Sequence, residues 1–352
     1  MTVTSEEFRS PSDLHHKTHC VRLHYTDTVK AIQVPEGISV VEAAEEAGVR
    51  LAHQCCVGTC GTCVGRVTNG VLAMPEGRVY PLSNIEIQDG LRLLCQATPT
   101  TDADAELDYP ASMLDDYPRR ETTAKVTGIN GLAETVVELS IRLPKHVQFI
   151  FRPGQYARLR VPGTDQWRSY SMASGERQKR QLTFVIRLLP NGAMSDYLRD
   201  RATLGDQIDL DGPLGSFGLA TETGSVLMLA GGTGIAPMLS MLDKLQAARS
   251  QDPIRLIFGC ARARDLFHLD EMEGRSSFMS NLTVRVVADE PHQLPGVLVG
   301  NPVSALTSED VAAPDTSAYL CGPPAMIDAA FVRLEELGLS RKHIHTEQFL
   351  PS

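Results

Sequence analysis

No stretch of the 352-residue sequence approaches the roughly 20 consecutive apolar residues that cross a bilayer. The N-terminus is polar and mixed in charge, without the apolar core of a secretory signal. A basic excess is missing too: 33 Lys and Arg face 43 Asp and Glu, a net charge of −10, which is not the footprint of a nucleic-acid-binding protein. Nor do the eight cysteines form a secreted disulfide framework, since Cys20, Cys56, Cys260 and Cys321 are scattered. A cytoplasmic location fits these absences. There is no internal repeat. What is present is ordinary apolar content, 42%, in a chain long enough for two or three domains. The acidity is uneven. Residues 1–118 hold 8 basic and 17 acidic side chains, a net −9, and the remainder is close to neutral. This split suits an acidic face for a protein partner; a merely solubilising surface is the plainer alternative.

The other four cysteines carry the most information. Cys55, Cys60 and Cys63 stand as Cys-x4-Cys-x2-Cys, with 31 residues between Cys63 and Cys95. This is the plant-type [2Fe–2S] spacing, in which three ligands share one loop and the fourth arrives from elsewhere. Gly58 and Gly61 suit a loop that must turn its amides toward sulfur. A zinc site normally uses two short cysteine pairs, and only one is present.

Along the chain, residues 1–18 read as a flexible tail and 19–101 as a small α+β, β-grasp-like domain around the cysteines. Within it a first hairpin alternates at Val21, Leu23 and Tyr25. Ser39-Val40-Val41-Glu42 reads as a capping box opening a helix that stops near Gly48, and Asn69-Gly70 as a hairpin turn between Val64–Thr68 and Val71–Met74. Residues 102–120, with six acidic and no basic side chains from Asp102 to Asp116, read as an acidic linker. Residues 121–223 are strand-rich with Gly and Pro punctuation, as in an antiparallel β-barrel. Residues 224–352 alternate strands and helices, as in a doubly wound parallel sheet. His15, His16, His19 and His24 read as solvated surface.

Gly231-Gly232-Thr233-Gly234, with Pro237 in the following helical turn, joins a buried strand to a helix. Such a loop lets amides and a helix N-terminus approach a pyrophosphate, although Pro237 stands where the usual fingerprint has its third glycine. Arg168, Tyr170 and Ser171 could neutralise a phosphate, stack on a flavin and hydrogen-bond its N5 edge. Gly192 and Ser195 suit a diphosphate turn or a plain helix cap. Cys321, Gly322 and Pro323 end a strand of the parallel sheet, where ligands bind such folds. Phe349, near the chain end, is either functional or core packing.

In this order the motifs resemble the one-component reductases of bacterial aromatic-ring dioxygenases, of the benzoate and anthranilate type, over residues 20–350. The resemblance implies a [2Fe–2S] cluster on Cys55, Cys60, Cys63 and Cys95. It implies FAD against Arg168, Tyr170, Ser171, Val185, Arg187, Gly192 and Ser195. NADH would lie on Gly231, Gly232, Thr233, Gly234, Pro237, Cys321, Gly322 and Pro323, and Phe349 on the flavin ring. Tyr170, Ser171, Cys321 and Phe349 are the residues expected at the reacting groups. The implied reaction passes electrons from NADH to FAD to the cluster and on to a Rieske oxygenase. That last step is downhill, from about −400 mV to roughly −150 mV or above. The reductase itself is expected to be a monomer that docks transiently on the oxygenase. A diiron monooxygenase partner, and a redox-sensing protein without turnover, are the alternatives. Cys56 departs from the family, where Arg is common, and the tail before Cys20 is long. Asp265, after the second strand of the parallel sheet, would disfavour a 2′-phosphate; Arg262 and Arg264 would favour one, and the resemblance decides for NADH.

Overall fold

The computed structural model describes residues 17–53, 56–58, 61–175, 180–220 and 224–349. The tail through residue 16 (with His15 and His16), Cys55, Cys60 and residues 350–352 lie outside them.

The first unit is a five-stranded sheet ordered Val29–Pro35, Thr18–His24, Ala103–Glu106, Val64–Asn69, Leu91–Leu93. The expected first hairpin forms, with Val21 opposite Ile32. Helix Val40–Glu46 starts at Ser39, whose side chain accepts from the Glu42 amide, and Gly48 follows it at φ 70°. Val21, Leu23, Val34, Val40 and Ala44 fill the core beneath.

Three expectations fail here. The stretch expected as a linker supplies the central strand: Ala103–Glu106 runs parallel to Thr18–His24 and antiparallel to Val64–Asn69. Its Ala103 and Ala105 are almost wholly buried, and Asp104 between them is bound by Arg22, His24 and Asn69. Those partners, the Arg22 bond foremost, hold its carboxyl below the ordinary range. Acidic composition therefore marked a paired strand, not a solvated spacer. The chain does turn at Asn69-Gly70, with Gly70 at φ 74°. It does not return as a hairpin, because Leu72–Ala73 pairs with Thr98–Pro99 instead. A Cβ on Gly70 would lie 2.0 Å from the Asp102 carbonyl oxygen, so glycine permits this crossing. Finally, His19 is buried beside Glu36 rather than solvated.

The second unit is a six-stranded antiparallel sheet ordered Trp167–Ser171, Tyr156–Arg160, Gln207–Leu214, Arg120–Ala133, Val136–Arg142, Gln181–Arg187. A bridge between Met172 and Phe184 joins its two ends and closes the barrel. Alternate residues such as Leu139, Ile141, Leu159, Phe184 and Leu210 point into the core.

The third unit is an all-parallel sheet ordered Val297–Val299, Leu282–Ala288, Ile254–Cys260, Val226–Gly231, Ser317–Gly322, Ile344–Gln348. Its central strand Val226–Gly231 is apolar throughout because both faces are covered. Helix Ile235–Ala248 buries Met238, Leu239, Leu242 and Leu245 on one face, and helix Pro324–Glu336 buries Ile327, Phe331 and Leu334 on the other. The first of these cores continues into the barrel through Val136, Ala173, Val185 and Phe217.

Candidate active site and cluster loop

The parallel sheet reverses its winding between Val226–Gly231 and Ser317–Gly322, and the crevice at such a switch point is where these folds bind nucleotides. Gly231–Gly234 and Cys321–Pro323 meet there. A Cβ on Gly234 would lie 2.2 Å from the Cys321 carbonyl oxygen, so this position demands glycine for close approach of the two strand ends. Pro237 is buried in the first turn of the helix that follows. After the strand Ile254–Cys260, the Asp265 carboxylate is occupied by Arg262, through contacts of 2.7 and 3.1 Å.

The barrel strand Trp167–Ser171 reaches this crevice at its Ser171 end. Arg168 donates to the Trp167 carbonyl and to Gln166 Oε1, and Tyr170 is half-buried. Ser171 is buried, and its hydroxyl donates to Glu347 Oε2 at 2.8 Å. The same carboxylate oxygen lies 3.8 Å from Cys321 Sγ. One residue from each of three strands thus converges: Ser171 from the barrel, Cys321 from the sheet centre, Glu347 from the sheet edge. Burial pushes the Glu347 carboxyl up to about 7, against the opposing hydrogen bonds from Ser171 and Cys321. Burial, and then the Glu347 charge, raise the Cys321 thiol, so the sulfur keeps its proton at neutral pH. Phe349 follows directly, its amide donating to the Gly322 carbonyl at 3.0 Å and its half-buried ring packed on the core shared by barrel and sheet.

Val185 is buried in that shared core, and its strand Gln181–Arg187 approaches the turn at Gly232–Gly234. Gly192 sits at the N-terminus of helix Ala193–Asp200; the buried Ser195 hydroxyl accepts from the Leu189 amide at 2.9 Å and so closes that turn. Sequence reasoning gave Glu347 no role of its own. Its signal was its place as the first residue of a C-terminal Glu-x-Phe in a β-prone tail.

In the first unit Cys63 and Cys95 are buried together, the Cys95 amide pointing at Cys63 Sγ over 3.5 Å. Cys56, Gly58 and Gly61 have φ of 51°, 82° and 71°, the curled backbone expected of a loop whose amides face sulfur. Gln96 braces it, donating to the Cys56 carbonyl at 2.9 Å. Cysteine sulfurs beside an inward-pointing amide are a donor set that fits an iron–sulfur centre. The residue before Cys63 reaches the barrel: Thr62 Oγ1 lies 2.5 Å from the Tyr156 hydroxyl. Tyr156 is directly opposite Ser171 in the barrel sheet. Sequence reasoning missed this contact, which no local pattern encodes.

Comparison with known proteins matches the three units in turn. Residues 24–100 match the 2Fe-2S iron-sulfur cluster binding domain, 123–218 the oxidoreductase FAD-binding domain and 228–331 the oxidoreductase NAD-binding domain. The chain is 33% identical, over 95% of its length and 98% of the relative's, to the anthranilate 1,2-dioxygenase electron transfer component of Acinetobacter baylyi. It belongs to the family of iron–sulfur flavoprotein electron transfer components. Its fold class and its three cofactors, the [2Fe–2S] cluster, FAD and NAD, are those of that family. It is also 31% identical, over 90% of its length and 94% of the relative's, to the propane 2-monooxygenase reductase component of Mycolicibacterium smegmatis. Among solved structures, an Amycolatopsis cytochrome P450 reductase superposes with a TM-score of 0.68 at 30% identity, covering 95% of this chain and 99% of that one. No helix among the described residues is long and apolar enough to cross a membrane.

Proposed function

We propose that this member of the family is a cytoplasmic, monomeric NADH-dependent reductase that supplies electrons to the terminal oxygenase of an aromatic-ring dioxygenase. The observation that carries the internal route is Tyr156, which sits opposite Ser171 on one side and touches Thr62, beside Cys63, on the other. When bound, the flavin converts a two-electron hydride into single electrons, which a [2Fe–2S] centre takes one at a time. Cys55, Cys60, Cys63 and Cys95 are the cluster ligands in this reading. Arg168, Tyr170, Ser171, Val185, Arg187, Gly192 and Ser195 hold FAD. Gly231, Gly232, Thr233, Gly234, Pro237, Cys321, Gly322 and Pro323 hold the nicotinamide nucleotide. Phe349 covers the flavin face that the nicotinamide must reach. Glu347 fixes Ser171 and Cys321 relative to each other and stores a proton between them. The dioxygenase partner is favoured by the likeness to the anthranilate component; a diiron monooxygenase is the second reading, from the propane component.

Cys63→Ser separates the two halves of the route. It should remove cluster absorbance and all electron delivery to an oxygenase while NADH still bleaches the flavin. Loss of flavin reduction in a variant that retains FAD would refute the order of transfer. Adding candidate oxygenases with their aromatic substrates to the intact reductase identifies the partner: substrate-dependent NADH consumption with a dioxygenase supports the first reading, and with a diiron enzyme alone the second.

A further inference from the structure

The strand Ile344–Gln348 lies at the edge of the parallel sheet, with a neighbour strand on one side only among the described residues. Side chains along a strand alternate between faces. Glu347 accordingly reaches Ser171, whereas Thr346 and Gln348 face the other way, into the cluster domain. There both end on one residue. Thr346 Oγ1 donates to Glu86 Oε1 at 3.0 Å, and Gln348 Nε2 donates to Glu86 Oε2 at 2.9 Å. Glu86 is 3% exposed, deep for a carboxylate. It is itself fixed by a reciprocal cap on helix Asn84–Gln88, in which Oε2 accepts from the Ser83 amide and the Ser83 hydroxyl accepts from the Glu86 amide. One turn on, Asp89 accepts from Arg341 at 2.6 Å and also binds Arg66. Burial works against the Asp89 charge, but the two guanidinium partners outweigh it and hold the carboxyl below its ordinary value. Arg341 continues to Glu335 and lies over the Phe331 ring, so the grip extends into the helix under the edge strand.

We propose that the cluster domain is a positioning element for hydride transfer: Glu86, supported by Asp89, fixes the edge strand so that Glu347 and Phe349 stand in register at the flavin crevice. The domain that receives the electrons thus also shapes the site where they enter. A strand's register is all-or-none with respect to its faces, since a one-residue slip exchanges them. A double hydrogen bond to Thr346 and Gln348 therefore specifies which face Glu347 occupies. This proposal rests on the reading of Phe349 and Glu347 as flavin-site residues given above.

The test uses the full-length holoprotein and two routes to the same loss. Glu86→Ala removes the grip from the cluster domain. Thr346→Val with Gln348→Leu removes it from the strand and leaves the cluster domain untouched, so it decides the matter if Glu86→Ala loses its cluster. Both should slow flavin bleaching at saturating NADH about threefold to tenfold, the size of coupling expected between contacting residues, with a smaller change in KM. Both should also raise hydrogen exchange of the 344–349 amides and shift NAD+ affinity in titrations without turnover. Glu86→Ala should add little to Phe349→Ala, because they act through one strand. Phe349→Ala with unaltered flavin reduction would overturn the reading of Phe349. A slowed Phe349→Ala beside normal reduction rates in the grip variants would leave that reading standing and overturn the positioning role. Increased exchange with normal rates would overturn it as well.

Discussion

The molecule has two seams of opposite character. Between barrel and nucleotide domain the seam is a core: Val136, Ala173, Val185 and Phe217 are buried among Ile235, Met238, Met241 and Tyr319 as one continuous apolar cluster. Between the cluster domain and the rest the seam is mainly polar, with Ile85 packed against the core of the nucleotide domain. Thr62 meets Tyr156, Glu86 meets Thr346 and Gln348, and Asp89 meets Arg341, around a cavity of about 1260 Å³ lined by all three units. An apolar seam loses its full burial energy when parted. Hydrogen bonds exchanged for water cost about 1 kcal/mol each. The difference assigns the seams distinct duties: the first keeps flavin and nicotinamide sites in fixed geometry, and the second holds a registered contact that can be remade.

The largest expected effect sets the seams against each other. Phe217 is 6% exposed and meets Tyr319 edge-on, with ring centroids 6.2 Å apart. Phe217→Ala should cost about 3–5 kcal/mol, read as a large drop in the thermal midpoint of the barrel–nucleotide unit. Thr62→Val deletes one hydrogen bond at the other seam and should cost about 1 kcal/mol, with flavin and cluster both retained. Equal losses in the two variants would erase the distinction.

The second prediction concerns what the apolar seam does to a charge. Glu347 is pushed up to about 7 by burial. The folded state therefore holds its proton more tightly than the unfolded chain, whose reference value is 4.5. Stability contributed by the group is present below pH 4.5 and falls as pH rises from there toward 7. The rate of flavin reduction should show an inflection near 7 that Glu347→Gln flattens, and the variant should lose less stability than the parent between pH 5 and 8. A pH profile that Glu347→Gln leaves unchanged would show that the proton is not held there.

How far the chain could be read in advance follows the same division. The central strands of the nucleotide sheet were legible because each carries its own reason: Val226–Gly231, for one, is apolar end to end. The cysteine spacing and the glycine loop were equally local. Ala103–Glu106 was not, because its Asp104 is tolerable only against Arg22, His24 and Asn69, which lie 35 or more residues away in sequence. Glu347 was given no role for a related reason: a carboxylate in a tail becomes chemically distinct only when Ser171 and Cys321 enclose it. The acidic surface was misread in part as well. Glu86 and Asp89 count toward the negative charge of the first half, yet they face Thr346, Gln348 and Arg341 rather than solvent.

That correction sharpens the smallest predicted effect, partner docking. With Glu86, Asp89 and Asp104 engaged internally, the acids left to steer an oxygenase are exposed ones such as Glu42, Glu45 and Glu46 on the first helix and Glu76 on its loop. Glu45 contacts His53 at 2.9 Å, two residues before the cysteine loop, so this acidic helix stands beside the cluster approach. Exposed charges act over a Debye length of about 8 Å at physiological ionic strength and chiefly raise encounter rates. Electron delivery to the oxygenase should slow a few-fold as salt rises from low to moderate concentration, while flavin reduction by NADH changes much less. Glu42→Gln with Glu46→Gln should lower the low-salt rate and flatten the salt dependence. If delivery ignores both salt and these substitutions, docking must rest on the apolar rim instead, where Val57 is 61% and Val79 94% exposed, and Val57→Ser would then be the variant that weakens it.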